Sequence, residues 1–490
     1  MHFLDLAVIL LYLVGVTWFG ASFGKSSGGR NSKTLQHYFL GGREAPWWAI
    51  ALSIVSAETS TLTIVGTPAL AFGGNFAFLQ IVMGYLLARV VISYLLLPQY
   101  FSGHMYTAYE LMQRRFGSNV RKVTAAIFLV TRSLAEGVRV FAISIVISIV
   151  LGTGELTSII VIVCLTLFYT FEGGMTAVIW TDVIQMGMYV LGAGASFFII
   201  LGKIPGGWHH VTELAGASGK FQIFDFALGP TLSQFLAKPY SFWAGVVGGC
   251  FLTTASHGTD QLIVQRLLSA KSLAESRRAL FASWAVVFFQ FTLFLLIGVL
   301  LWVYYTDNHL PAPSPADRLY PKFIWDNMPA GLAGLVMAAI LAAAMANLSA
   351  ALNSLASTTV IDFFRNRASE ARLLWIARMA TIAWGVVLVL IGLVASHWGS
   401  VLTSGLSIAS VTLGVLLGVF LLGSLTTRPG ENAAIAGVII GAAVILYVKF
   451  NTTIAFTWWV LIGSMATFAG GYAASLVLPP QLPQRRTKNG

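Results

Sequence analysis

Long apolar segments recur along this chain of 490 residues, and they decide what it can fold into. A helix needs roughly 20 apolar residues to cross a bilayer, and about thirteen such segments follow one another with no soluble domain between them. Their approximate bounds are 3–23, 45–72, 76–98, 121–151, 156–171, 177–203, 240–258, 279–305, 329–361, 372–395, 400–422, 431–449 and 453–478. Since 57% of the residues are hydrophobic and only 10% are charged, the sequence predicts an all-α integral membrane protein.

Several other classes of protein are excluded by the same sequence. The formal charge of +11 does not indicate nucleic-acid binding, because Lys and Arg form short clusters between apolar segments rather than a basic stripe. Cys164 and Cys250 lie inside apolar segments and make neither a metal-ligand pattern nor a disulfide framework. No nucleophile–base set, metal-ligand spacing or phosphate-binding glycine loop indicates an enzyme. The first apolar segment follows Asp5 rather than a basic stretch, so we expect a membrane span there and not a cleaved signal peptide.

The distribution of Lys and Arg between the loops predicts the orientation. With the N-terminus outside, the loops on the cytoplasmic side hold about nineteen positive residues, against about six on the other side. We therefore expect a multi-pass protein of the plasma membrane with its N-terminus outside and its C-terminus in the cytoplasm.

Two spans carry polar or flexible residues at membrane depth. The second span contains the hydroxyl-rich run 56–63 with Glu58 inside it, followed by Gly66 and Pro68. The seventh contains several glycines and then the polar stretch 253–258. Irregular backbone at this depth is tolerated only where it lines a cavity. Paired interruptions five spans apart are typical of an inverted-repeat transporter with its binding site at the midplane, although small residues also allow close helix packing.

The fourth span places three ionisable residues on one helical face: Arg132, Glu136 and Arg139. Arg132 lies about 16 Å and Glu58 about 20 Å from the cytoplasmic end of its span, so both are near the midplane. One alternative is that these three side chains form ion pairs only with each other. However, two guanidinium groups and one carboxylate leave a positive surplus, which either Glu58 or an anionic substrate can neutralise. Arginine suits the second role because its planar fork binds a carboxylate through two hydrogen bonds.

Two further groups are candidate cation ligands. Asp182 lies near the start of the sixth span and is either an ion ligand or a helix-end carboxylate that reaches interfacial water. Asn347 and Ser349 lie in a stretch of small residues on the ninth span. Their oxygens suit a hard cation, although the stretch also fits a tight helix crossing.

A family resemblance follows from motifs spread along the whole chain. They are Tyr38-Phe39-Leu40-Gly41-Gly42-Arg43, Pro46-Trp47-Trp48-Ala49-Ile50, the segment from Gly173 to Asp182 with Gln185, Asp260-Gln261 leading to Gln265-Arg266, and Leu352-Asn353-Ser354. In these motifs the chain resembles the sodium:solute symporter family, which includes bacterial sialic acid, galactose and proline symporters. The resemblance implies a leucine-transporter-type fold with two inverted five-helix repeats and broken helices.

The resemblance also divides the chain into five parts. We expect an extra N-terminal transmembrane helix and cytoplasmic loop over 1–44, the first five-helix repeat over 45–203 and an extracellular loop over 204–239. The second five-helix repeat then covers 240–422, and two C-terminal helices with a short cytoplasmic tail cover 423–490.

The same resemblance implies where the coupling ion binds. The main sodium site of the family uses backbone carbonyls that fall on Ser56, Thr59 and Ala343, together with two serine hydroxyls. Those hydroxyl positions fall on Ala346 and Asn347, so one hydroxyl is absent and the other is replaced by an amide. A second sodium site, present in some members, matches Asp182 and Ser349, with Ala350 in place of a further serine.

Substrate positions are implied in the same way. In the bacterial sialic acid symporters, the substrate carboxylate is held by residues similar to Ser60, Thr63, Gln80 and Arg132, and Ser256 and His257 fall on a substrate-contact stretch. Glu58, Glu136 and Arg139 are not part of that pattern, so the resemblance favours a carboxylate or a polyol without indicating sialic acid itself. Glu58 is nevertheless included as the seventh candidate substrate-binding residue.

Together these observations predict a monomeric symporter that imports a small polar, carboxylate-bearing solute with sodium by alternating access. The alternatives are a proton-coupled symporter that uses Glu58, and a sodium-independent uniporter or solute sensor on the same scaffold. No organic cofactor and no nucleic-acid partner are expected.

Overall fold

The computed structural model describes residues 3–26, 43–102, 105, 107–169, 175–229, 231–364, 370–398 and 401–478, most of which are helical. The helices are α1 Phe3–Ser26, α2 Trp47–Glu58, α3 Thr61–Gly73, α4 Leu79–Val91, α5 Leu97–Phe101, α6 Ala108–Arg115, α7 Ser118–Leu151, α8 Glu155–Tyr169, α9 Met175–Gly202, α10 Gly207–Ala217, α11 Leu232–Ala237, α12 Gly249–Gly258, α13 Gln261–Leu268, α14 Leu273–Asp307, α15 Leu319–Asn327, α16 Leu332–Phe363, α17 Glu370–Ala395, α18 Val401–Leu425, α19 Glu431–Asn451 and α20 Phe456–Val477. Single π-helical turns at Ile92–Leu96 and Ala244–Gly248 join α4 to α5 and lead into α12.

The helices agree with the predicted membrane spans in position. Among the described residues, nine helices are long and apolar enough to cross a membrane, and the bent pair α2–α3 makes ten. The apolar stretches Phe3–Tyr12 in α1 and Glu155–Cys164 in α8 are shorter than a span. The all-helical membrane architecture is confirmed, whereas the count of about thirteen spans and the division into five parts stay predictions.

Some of the predicted features fall where the structure gives no description. The motif from Tyr38 to Gly42, the pair Gly173–Gly174 and the tail beyond Leu478 lie outside the described residues. The side chains of Ala346 and Asn353 also lie outside them.

Two spans are broken, as the sequence predicts, but the second break is not where the glycines are. The first break lies between α2 and α3, where Thr59 and Ser60 have extended backbone and the helix axes differ by 64°. The second lies at Thr259 and Asp260, after α12 has already ended. Pro68 is accommodated inside α3. The polar residues therefore mark both breaks better than glycine or proline does.

The glycines of the seventh span serve close helix packing. A side chain at Gly245 would place its Cβ 2.7 Å from the Cβ of Gln80, and one at Gly249 would overlap the carbonyl of Ile81. Gly84 of α4 lies equally close to the same turn of backbone. The contact between α4 and α12 is thus made by backbone against backbone, which fixes the wall of the cavity described below.

The first helix is attached to the helix that carries Asn347. Asp5 is buried, with 2% exposure, and its Oδ1 accepts hydrogen bonds from the backbone nitrogens of Gly331 (2.7 Å) and Gly334 (2.8 Å) at the start of α16. A carboxylate at this position satisfies backbone donors that a helix leaves unpaired at its N-terminus.

Gly84→Ala tests the α4–α12 contact. The added methyl group would lie 2.8 Å from the backbone nitrogen of Cys250 and overlap the carbonyl of Val246, so we expect a loss of about 1–3 kcal/mol in stability. Gly187→Ala in α9 is the control, since nothing lies within 4 Å of its added methyl group. Melting of the detergent-purified variants should show a lower midpoint for Gly84→Ala only; equal midpoints would contradict the close contact.

Candidate functional site

A central cavity of about 150 Å³ lies beside both helix breaks. Its walls come from α2, α3, α4, α7, α12, α13, α14 and α18. Six of the seven predicted substrate residues line it: Glu58, Ser60, Thr63, Arg132, Ser256 and His257. Residues from four different helices and one break, far apart in the sequence, therefore meet at a single place.

Gln80 is the predicted substrate residue that does not line this cavity. Its Nε2 donates to the carbonyl of Tyr240 (2.9 Å), and its Oε1 accepts from the backbone nitrogen of Asp225 (3.1 Å). The side chain is completely buried. Its hydrogen bonds hold the loop before α12 against α4.

Glu58 is balanced by Arg89, an arginine of the third predicted span. The Oε2 atom of Glu58 lies 3.3 Å from Nη2 of Arg89 and 3.1 Å from Nε2 of His257. Arg89 also donates to the carbonyls of Leu280 (3.1 Å) and Tyr85 (3.2 Å). Glu58 therefore does not neutralise the arginines of α7. An arginine inside an apolar span was the signal for this partner, since such a charge needs a counter-charge nearby.

The arginine stack on α7 has the geometry expected from its spacing. The Oε1 atom of Glu136 lies 3.0 Å from Nη2 of Arg132, and the same oxygen accepts from Arg139. The predicted positive surplus is reduced by Asp260, whose Oδ2 lies 3.6 Å from Nη1 of Arg132. The Nε atom of Arg132 is buried and has no hydrogen-bond partner among the described residues. Part of this guanidinium is therefore available to a further acceptor.

The predicted main sodium site has an unexpected internal contact. Ser56, Thr59, Ala343 and Asn347 are all buried. The Nδ2 atom of Asn347 donates to the carbonyl of Thr59 at 3.2 Å. A hydrogen-bond donor thus faces the Thr59 carbonyl, which was assigned to sodium. This hydrogen bond joins the end of α2 to α16, which the ion was expected to join.

The predicted second sodium site contains an ion pair. Asp182 is 4% exposed, and its Oδ2 accepts from Nη2 of Arg266 (3.0 Å) and from the hydroxyl of Ser53 (2.5 Å). Arg266 also donates from Nε to Ser53 (2.9 Å). Asp182 is therefore paired inside the protein, and its role as an ion ligand stays a prediction. Within the described part of the chain, no hydrogen bond links Ser349 to Asp182.

A second cavity, of about 480 Å³, lies on the other side of Phe78. Phe78 lines both cavities, and its ring lies 5.1 Å from that of Phe291 and 6.1 Å from that of Tyr240. The larger cavity, which we call the vestibule, is also lined by Asn75, Asp317 and Thr403. The vestibule is thus separated from the central cavity by a cluster of aromatic rings.

Comparisons with known proteins agree with this architecture. The model of the sodium:solute symporter family matches residues 38–441. The chain is 28% identical to the sodium/sialic acid symporter SiaT of Proteus mirabilis (strain HI4320), covering 97% of this chain and 96% of that protein. It is also 28% identical to the sodium-coupled monocarboxylate transporter 2 of Bos taurus, covering 89% of this chain and 69% of the relative.

Solved structures show the same fold. The substrate-bound outward-open state of a Na⁺-coupled sialic acid symporter is 26% identical, with a TM-score of 0.83 over 98% of this chain and 99% of that one. A nucleobase-cation-symport-1 family transporter in a closed conformation is 11% identical, with a TM-score of 0.58 over 89% of this chain and 93% of that one, and shares the fold. The predicted leucine-transporter-type fold is confirmed. Because the family model matches most of its length, the chain belongs to the sodium:solute symporter family.

Proposed function

We propose that this protein imports a compact, carboxylate-bearing solute together with sodium, by alternating access, through a plasma membrane. The observation that carries the proposal is Arg132, a buried arginine on the wall of the central cavity whose Nε has no partner in the part of the chain that the structure describes. Ser60 and Thr63, at the start of α3, supply hydroxyls on the same cavity wall. Charged and neutral donors around one space are what a carboxylate requires.

The cavity volume favours a small solute. A dry cavity of about 150 Å³ in another protein holds benzene, and the central cavity has about that volume. The relatives named above transport monocarboxylates or sialic acid. A short monocarboxylate fits this volume better than a sugar acid does.

The charges around the cavity favour transport of an anion with a cation. Arg89, Arg132 and Arg139 carry three positive charges in this region, and Glu58, Glu136 and Asp260 carry three negative charges. An anionic solute alone would leave one uncompensated charge in a buried site, which costs several kcal/mol. A cation that enters with the anion restores the balance.

Sodium is the cation that the family favours, and Ser56, Thr59, Ala343 and Asn347 are the residues proposed to hold it. In the present arrangement Asn347 presents its Nδ2 to the carbonyl of Thr59. Rotation of the amide would present Oδ1 instead, and an amide oxygen is an acceptable ligand for a hard cation. Ion binding must therefore break the Asn347–Thr59 hydrogen bond, which lowers the affinity for sodium. The second site proposed from Asp182 and Ser349 would have to compete with Arg266.

We infer alternating access from two contacts near the cavity, each of which could open separately. On one side the aromatic cluster around Phe78 separates it from the vestibule. On the other side Arg266 joins α13 to α2 and α9. Coupling requires that the ion bind one of the two access states more tightly than the other. We propose that the vestibule faces outward, with the N-terminus outside, the C-terminus in the cytoplasm, and the monomer as the functional unit.

Arg132→Gln should reduce uptake of L-lactate or pyruvate by about 10- to 100-fold, because a charge-assisted interaction is lost. The measurement is radiolabelled uptake into proteoliposomes with an imposed sodium gradient. Arg318→Gln is the matched control, since Arg318 pairs with Glu155 at a half-exposed position away from the cavity. Uptake by Arg132→Gln equal to that of the control would refute the role of Arg132.

Asn347→Ser should lower the sodium concentration for half-maximal uptake by about fivefold, because the hydrogen bond to Thr59 no longer competes with the ion. Asn327→Ser, at the end of α15, is the control because its side chain accepts from Tyr304 and lies outside the proposed ion site. Both variants are compared in sodium titrations with choline as the replacement ion.

Proton coupling is the second candidate function. It is favoured by Glu58, which lines the cavity and bonds to His257, and by the donor that Asn347 presents to the ion site. Uptake that follows a pH gradient, ignores sodium and is lost in Glu58→Gln would establish it. Uptake that follows neither gradient would indicate a uniporter, and saturable binding without uptake would indicate a solute sensor.

A further inference from the structure

Asp260 occupies the break between α12 and α13, and its two carboxylate oxygens have different partners. Oδ1 accepts from the backbone nitrogen of Leu262 (2.8 Å) and so caps the start of α13. Oδ2 lies 3.6 Å from Nη1 of Arg132 on α7. Asp260 also lines the central cavity and is 8% exposed. One buried side chain therefore connects the proposed substrate arginine to the first turn of a helix.

The position of Asp260 creates a competition at Arg132. A solute carboxylate that binds this guanidinium approaches a carboxylate already beside it. Two like charges near one partner repel each other strongly where water is scarce. Glu136 cannot move away as easily, because it is held by both Arg132 and Arg139 on its own helix. Asp260, which lies on a helix break, is the partner that can be displaced.

The helix that Asp260 caps continues to the ion pair between Arg266 and Asp182. Along α13, Arg266 lies about 9 Å from Asp260. It donates to Ser53 on α2 and to Asp182 on α9. A movement at the start of α13 therefore reaches Arg266 within two helical turns, and with it the contact of α13 with α2 and α9.

We propose that Asp260 is an internal substitute for the solute carboxylate, which pairs with Arg132 while the cavity is empty and is displaced when the solute binds. This rests on the proposed role of Arg132 in binding a carboxylate. After displacement, Asp260 still caps α13 but no longer joins it to Arg132. The contact of Arg266 with Ser53 and Asp182 is then loosened. An uncharged analogue of the solute does not displace Asp260, so the pair also makes opening depend on a negative charge.

The test uses the full-length transporter in proteoliposomes without solute. Cys164 and Cys250 are replaced by alanine, and Ser269→Cys, completely buried at the end of α13, reports opening through its rate of reaction with a maleimide. Asp260→Asn keeps an oxygen that can cap α13 but removes the charge. We expect it to raise the labelling rate about ten-fold.

Arg132→Gln should raise the labelling rate to a similar extent, and the double variant should add little, because both substitutions break the same pair. Asp326→Asn is the matched control, since its pair with Lys322 is exposed on α15; its rate should stay that of the parent. Unchanged rates in Asp260→Asn, or effects that add in the double variant, would overturn the proposal.

A second arm uses L-lactate and lactamide on the parent protein. L-Lactate should speed labelling and lactamide should not, and Asp260→Asn should no longer respond to L-lactate. L-Lactate that is taken up without changing the labelling rate overturns the displacement step while leaving the proposed function intact. The opposite result is also distinguishable. If the labelling rates of the two single variants and the double variant are non-additive but the protein takes up no carboxylate, the Arg132–Asp260 pair controls α13 and the proposed function is wrong.

Discussion

Charges buried at the centre of an apolar bundle have to be compensated by other buried charges, and much of the site follows from that requirement. Arg89 reaches across from α4 to Glu58 on α2, Arg132 on α7 reaches to Asp260, and Arg266 on α13 reaches to Asp182 on α9. Each pair joins two segments that are not adjacent in the sequence. Breaking such a pair leaves an uncompensated charge, which is far more costly than losing a surface ion pair. The pairs therefore determine which helices stay together and which can separate.

The helix breaks supply the chemistry that these charges surround. At Thr59–Ser60 and Thr259–Asp260 the backbone leaves helical geometry, so carbonyls, amides and hydroxyls face a cavity rather than the next helical turn. In a bilayer such groups are stable only when the protein itself satisfies them. The Asn347 amide does so for the Thr59 carbonyl, and the Asp260 carboxylate does so for the Leu262 nitrogen. Both contacts involve residues of the proposed ion and solute sites.

Features that lie within one segment, such as spans and helical faces, could be predicted from the sequence. Contacts between two segments that are distant in the sequence could not. Hydrophobic length located the spans, the polar run 56–63 indicated the first break, and helical spacing placed Arg132, Glu136 and Arg139 on one face. An intramembrane arginine at position 89 indicated that a counter-charge lies nearby, but the sequence does not specify that Glu58 is this counter-charge or that Asp260, in the break between α12 and α13, lies beside Arg132. Gln80 was assigned to substrate by alignment, yet its amide is bonded to a loop whose path only the fold reveals.

Phe78 has a consequence for the speed of transport. Phe78 lines both the vestibule and the central cavity, but it is 1% exposed and packs against Phe291 and Tyr240. Rotation within picoseconds to nanoseconds is typical of exposed side chains, and movement of helices takes microseconds to milliseconds. Under the proposed alternating access, passage beside Phe78 therefore has to wait until the neighbouring rings repack, and separation of the three helices that Arg266 joins is a second slow movement. A blocker that stabilises either contact would slow every cycle whatever the solute concentration.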